Sequence, residues 1–198
     1  MARYIGPKLK ISRRFGVKLG LRSNEEAFTR RPFKPGQHGP KARRGRQSEY
    51  ALQLMEKQKA KHIYGILEKQ FRNYYENASK QRIVGLALLQ LLETRLDTVF
   101  FRAGLTITQQ QARQFITHGH VLVDGKKVTI PSFQVKPGTK VTLDSKLAAL
   151  VASQRGQDAP LPVWVSVEGN SATVLDLPTR EQITSLINEE LIVEFYSR

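Results

Sequence analysis

The chain has 198 residues, with 32 Lys plus Arg against 17 Asp plus Glu, a formal net charge of +15, and 40% hydrophobic residues. Such a charge selects phosphate backbones or anionic surfaces as partners and is silent about fold, while the apolar share suffices for a core. No apolar run approaches the roughly 18 residues of a membrane span, MARYIGPKLK lacks the apolar centre of a secretory signal, and the absence of Cys removes disulfides, thiol catalysis and thiolate zinc.

An intracellular, soluble protein with nucleic acid as its leading partner is expected. The charge is unevenly spread: residues 1–50 hold 14 Lys or Arg and three Glu, residues 51–90 and 91–150 carry +4 each, and residues 151–198 carry −4. From Met1 to Arg46 glycines and prolines recur too often for long helices, and Arg13-Arg14, Arg30-Arg31 and Arg43-Arg44-Gly45-Arg46 punctuate the run. So one-signed a segment reads as an RNA- or DNA-contacting extension more readily than as a solubilising tail.

Ser48 opens a helical regime. Apolar residues at helical spacing run to Lys61, and a second stretch runs from Tyr64 to Ala78. Tyr64, Phe71, Tyr74 and Tyr75 recur at spacings that fill a seam between helices, so they read as core and not as base-stacking platforms. The leucines at 86, 88, 89, 91, 92 and 96, followed by Val99 and Phe100, predict a third helix over about 83–102. In one continuous helix Arg95, Thr98 and Arg102 share a face away from Leu92, Leu96 and Val99.

Thr108 to Gln111 has the form of a capping box, which predicts a helix start with Ala112, Phe115 and Ile116 as its apolar stripe and Gly119 at its end. His120 to Val123, the pair Asp124-Gly125, and Lys126 to Ile130 then predict a hairpin on a type I′ turn. A two-residue turn sets Val123 opposite Lys126, Leu122 opposite Lys127, Val121 opposite Val128 and His120 opposite Thr129, so the valines share one face and His120 and Lys127 the other. The expectation is a module of two helices and a hairpin whose rim presents Arg95, Arg102, Arg113, His118, His120 and Lys127 to phosphate.

Three stretches of this region, LLETRLDTVFFRAG at 91–104, TITQQQARQFITHGHVLVDGKKV at 106–128 and IPSFQVKPG at 130–138, closely resemble the RNA-binding module named after the S-four family of small-subunit ribosomal proteins. MARYIGPKLKISRR, PGQHG followed by EKQKAKHIYGILEKQFRNYY, and INEELIVEFYSR resemble the flanking segments of the bacterial and organellar members of that family. The resemblance covers nearly the whole chain. It implies an α+β protein: a basic N-terminal extension (1–46), a mainly helical domain (47–90) closed by a C-terminal segment (163–198), and an inserted RNA-binding module (91–162).

It also implies direct binding to small-subunit ribosomal RNA early in assembly, at a junction of the 5′ domain, beside ribosomal protein S-five and the messenger RNA entry path. Arg43, Arg44 and Arg46 are similar to the family's segment near that entry. On this reading the RNA-facing set extends to Arg3, Lys8, Lys10, Arg13, Arg14, Lys57, Lys59, Lys61, Arg72 and Lys126. The chain would lie in the cytoplasm, bound to ribosomes, or in an organelle's stroma or matrix. Two departures stand out. The four-cysteine zinc knot of some relatives is missing, so no metal or other cofactor is carried over, and ASKQRIVGL at 78–86 lacks a glycine-rich insert.

Other readings find less to stand on. Pseudouridine synthases with this module use an Arg-Leu-Asp motif, matched by Arg95-Leu96-Asp97, but the tripeptide here sits in a leucine-rich helix with no segment for a large catalytic sheet, so Asp97 reads as structural and no enzyme is expected. His118-Gly119-His120 has no carboxylate set for a metal. No GxxxxGK[ST] or GxGxxG pattern offers a nucleotide site. A stand-alone RNA-binding stress or recycling factor would be shorter and would lack the acidic closing segment.

Overall fold

The computed structural model describes residues 4–21, 26–40, 48–154, 161–183 and 186–197. The fold is α+β, with nine helices and one five-stranded antiparallel sheet among the described residues. It divides into two compact units, residues 1–85 with 185–198, and residues 86–184.

The first unit is helical. Lys8–Phe15 (α1) and Glu26–Arg30 (α2) are short, as the density of Gly and Pro predicts. Glu49–Ile63 (α3) begins where the Ser48 hydroxyl accepts from the Ala51 amide, and Glu68–Ala78 (α4) follows after a turn at Gly65. Glu189–Tyr196 (α9) is capped by Asn188 and packs on α3 and α4: Phe195 meets Tyr50, and Tyr196 stacks on Tyr75 at 4.6 Å and Phe71 at 6.2 Å. Tyr64 and Phe71 are core, as their spacing predicts. The front of the chain is more than a charged arm, because Ile11, Ser12 and Leu19 are buried in this unit.

The second unit builds its sheet in the order β2-β1-β3-β5-β4, from Val121–Val123 (β1), Lys126–Lys127 (β2), Lys140–Leu143 (β3), Val165–Glu168 (β4) and Ser171–Val174 (β5). The turn and the two pairs beside it are as predicted: Val123 pairs with Lys126, Leu122 with Lys127, and Asp124 and Gly125 take φ of 47° and 78°, the positive values of a type I′ turn, while the second strand ends at Lys127 and does not run on to Ile130. Val121 and Val123 point inward and Leu122 outward. They meet Val141 and Leu143 from β3, Ala172 and Val174 from β5, and Ala112 and Ile116 from Gln109–Thr117 (α7) in one core. Each of the Val, Leu and Ile side chains contributes about 1.5–3 kcal/mol by burial. Ser145–Gln154 (α8) follows β3.

Two expectations are corrected. The helix expected over 83–102 is two, Val84–Glu93 (α5) and Leu96–Arg102 (α6). Arg95 between them is extended (φ −65°, ψ 140°) because the backbone turns to other partners: the Leu96 amide donates to the Phe133 carbonyl at 2.8 Å and the Val135 amide to the Thr94 carbonyl at 2.8 Å. Gln134 fastens the same break, accepting from the Thr94 hydroxyl and donating to the Leu91 carbonyl. The second correction concerns 163–198. Only its last helix joins the helical unit, while β4 and β5 complete the module's sheet through the β3–β5 ladder.

Candidate nucleic-acid interface

In the second unit the cations sort by depth. The break before α6 turns Arg95 inward, where it is 0% exposed and grips Asp97 with Nε on Oδ1 at 3.0 Å and Nη2 on Oδ2 at 2.9 Å. Arg113 reaches the same carboxylate from α7, with Nε 3.1 Å from Oδ2 and Nη2 closer still. Arg102 makes a two-point bond to the buried Glu93 at 2.9 and 2.7 Å. Arg95 and Arg113 are thus turned inward from the rim expected of them, while Arg102 is half-buried and paired with Glu93. A buried guanidinium needs a carboxylate to offset the loss of water, and Asp97 and Glu93 supply it. Asp97 is itself 0% exposed, a structural carboxylate sealed between two cations.

What stands outside is smaller. Thr108 caps α7 by accepting from the Gln111 amide, and the Gln111 side chain returns to the Ile107 amide, one residue earlier than a capping box has it. The helix ends through Gly119 at φ 79°, which releases His118 to the surface and leaves His120 half-buried, their rings 6.3 Å apart. His120 lies 3.9 Å from the Asp144 carboxylate. Lys126 and Lys127 are exposed, and the end of the Lys127 side chain lies over Gly119, which takes the left-handed conformation that favours glycine. The hairpin thus brings Lys127 against the helix end that carries His118 and His120.

The helical unit divides its cations in the same manner. Lys57 is buried, 2.9 Å from Glu68 and with its ammonium 4.3 Å from the centroid of the Phe195 ring. Lys61 meets the other oxygen of Glu68 at 2.9 Å, and the Tyr196 hydroxyl donates to that carboxylate at 2.8 Å. Burial alone would raise the Glu68 pKa, but the hydrogen bonds from Lys61, Lys57 and Tyr196 together outweigh it and bring the group down to about 2. Tyr196 is pushed well above the usual phenol range by burial and by Glu68. Lys59 pairs with Glu56. Lys57, Lys59 and Lys61 are therefore each paired with a carboxylate within the unit.

Lys10 and Arg14 are exposed, Lys8 is half-buried, and exposed Arg72 shares a surface pair with Glu76. Arg13 is half-buried and bonds a neighbouring loop. His62 is held below its usual pKa by burial, then by Lys61 and Arg14, and its ring meets Tyr4 and Phe15. Arg3, Arg43, Arg44 and Arg46 lie outside the described residues. Arg31 of the Arg30-Arg31 pair is exposed, and so are cations outside the expected set, Lys34, Lys80 and Arg82 in the first unit and Lys136, Lys140 and Lys146 in the second. They lie in loops and turns, at the start of β3 (Lys140) and in the first turn of α8 (Lys146), and only charge itself marks them. Among the described residues no cluster of three or more His, Asp or Glu is placed to hold a metal, and no helix is long and apolar enough to cross a membrane.

The whole chain finds relatives. A family model of the ribosomal protein S4/S9 N-terminal domain matches residues 3–93, and one of the S4 domain matches residues 94–141. The chain is 48% identical over 205 residues to the small ribosomal subunit protein uS4 of Chlorobium limicola, with both chains covered in full. It is 49% identical over 207 residues to that of Cutibacterium acnes and 48% over 208 residues to that of Dictyoglomus thermophilum, again with full coverage of both.

Proposed function

Because the chain belongs to the family of the small ribosomal subunit protein uS4, we propose that it is a structural component of the small subunit that binds ribosomal RNA directly through exposed cations on two rigid units. The observation that supports this most is the sorting of charge in the module. Arg95, Arg102 and Arg113 are bonded to buried carboxylates, while Lys126, Lys127 and His118 stand at the surface around one hairpin. A frame stiffened from within can offer cations at fixed spacing, which suits recognition of RNA by shape and phosphate.

On this proposal the protein is a primary binder that helps nucleate the 5′ domain. Arg43, Arg44 and Arg46 serve near the messenger RNA entry path, next to S-five, and contribute to accuracy of decoding. Its place is on the ribosome in the cytoplasm. Catalysis has no part in it, and the aspartate of Arg95-Leu96-Asp97, the one residue with an enzymatic parallel, is closed off from any substrate.

Chemical footprinting of small-subunit ribosomal RNA with the full chain tests the proposal. Protection concentrated at one helical junction of the 5′ domain is the expected result. Protection scattered without regard to RNA structure would overturn it.

A further inference from the structure

From Ala27 to Ser48 the chain has seven Lys or Arg and no Asp or Glu. A segment of one sign repels itself and should splay in water, yet residues 32–40 fold into a tight turn. Pro32, Pro35 and Pro40 restrict the backbone, and Gly36 takes φ of 111°, a conformation closed to other residues. The Gly39 amide donates to the Gly36 carbonyl at 3.1 Å, and Gly39 lies so close to the Lys34 carbonyl oxygen that a Cβ would overlap it. Lys34 and His38 are exposed on this turn.

The turn is tied to α1 by a cation. Arg13 donates from Nε to the Phe33 carbonyl at 3.0 Å, and its guanidinium carbon stands 5.2 Å from the centre of the Phe33 ring. The bond uses the single Nε donor in the stem while the guanidinium carbon stands over the ring, two contacts that a lysine would have to make from one ammonium. That a cation approaches a cationic loop at all requires these two contacts to exceed the repulsion, and they leave Arg13 facing protein while its neighbour Arg14 faces solvent.

We propose that Arg13 is a positioning residue for RNA binding: it clamps the Pro32–Pro40 turn in one shape so that Lys34 and His38 meet the RNA backbone already ordered, and it is not itself a phosphate contact. This rests on the RNA-binding function proposed above. Its mechanism is pre-organisation, since a loop ordered before binding loses less entropy when it binds.

The test compares Arg13→Ala and Arg13→Lys in the full chain, after thermal melting has shown both to be folded. In the free protein, amide exchange at Gly39 should quicken in both variants, while exchange in α3 and α4 stays as in the wild type. Affinity for small-subunit ribosomal RNA should fall about tenfold in both, the effect of losing a hydrogen bond and a cation–π contact, with the slope of log affinity against log salt unchanged. Wild-type affinity in Arg13→Lys, together with a slope shallower by about 0.7–0.9 in Arg13→Ala, would make Arg13 a phosphate contact and overturn the proposal. Unchanged exchange at Gly39 in both variants would overturn it as well. If the wild type showed no preference for this RNA, the proposed function would fail, while the exchange measurement would still decide whether the clamp exists.

Discussion

Arg113 on α7 reaches Asp97 at the start of α6 across sixteen residues of chain, and both side chains are buried. Arg95 holds the same carboxylate from its other side. One acidic residue therefore joins the inter-helix break, α6 and α7. Asp97→Ala should leave two buried cations without their shared partner and cost about 3–5 kcal/mol, measured as a shift in urea midpoint. A loss under about 1 kcal/mol would mean that the arginines find water or other acceptors at no penalty.

The salt dependence of binding follows from the same sorting. Lys126→Ala and Lys127→Ala should each flatten the plot of log affinity against log salt by about 0.7–0.9, one phosphate's share of counterion release. Arg95→Ala and Arg113→Ala should instead destabilise the module and leave the slope of the folded fraction unaltered. Slopes changed by the arginines and not by the lysines would restore the rim that the sequence suggests.

Val121 is fully buried in the hairpin and Lys127 is exposed opposite its neighbour Leu122. Val121→Asp should unfold the module, because it places a carboxylate among Val141, Leu143 and Ile116 with no donor for it. Lys127→Ala should stay within about 0.5 kcal/mol of the wild type. Equal losses in thermal melting would contradict the face assignment.

Acid should loosen the helical unit in two steps of the same sign. His62 has a lowered pKa in the folded state, so the unfolded chain takes up the proton first and stability falls as pH drops below 6.5. The Glu68 carboxyl, lowered from 4.5 to about 2, contributes stability that is complete above 4.5 and lost as pH falls towards 2. Glu68→Gln should therefore be less stable than wild type at pH 6 and approach it as pH falls through that window. A gap in urea midpoint independent of pH would show that the carboxylate's charge is not what Lys57, Lys61 and Tyr196 bind. Tyr196→Phe, which keeps the stack on Tyr75, should cost about 0.5–1.5 kcal/mol at neutral pH.

How much of this the sequence disclosed depended on how far each residue's partners lay along the chain. The hairpin register, its Asp124-Gly125 turn and the Thr108 cap rest on neighbours a few residues away and were legible. The two strands after Trp164 carry a local signal, alternation on either side of Gly169-Asn170. Arg95 was not legible, since reading it with Thr98 and Arg102 on one face presumes an unbroken helix, and the break is imposed by Phe133, Gln134 and Val135. Nor was Lys57, whose cover, Phe195 and Tyr196, arrives at the far end of the chain. Charge counted along a sequence cannot separate a lysine facing RNA from one facing a glutamate.

The most direct measurement of the central claim is equilibrium binding of the full chain to intact small-subunit ribosomal RNA, in competition with excess large-subunit ribosomal RNA, over a range of salt. The account predicts binding that survives the competitor and weakens linearly on logarithmic axes as salt rises. Equal displacement by either RNA would contradict it, leaving a basic protein with no RNA of its own.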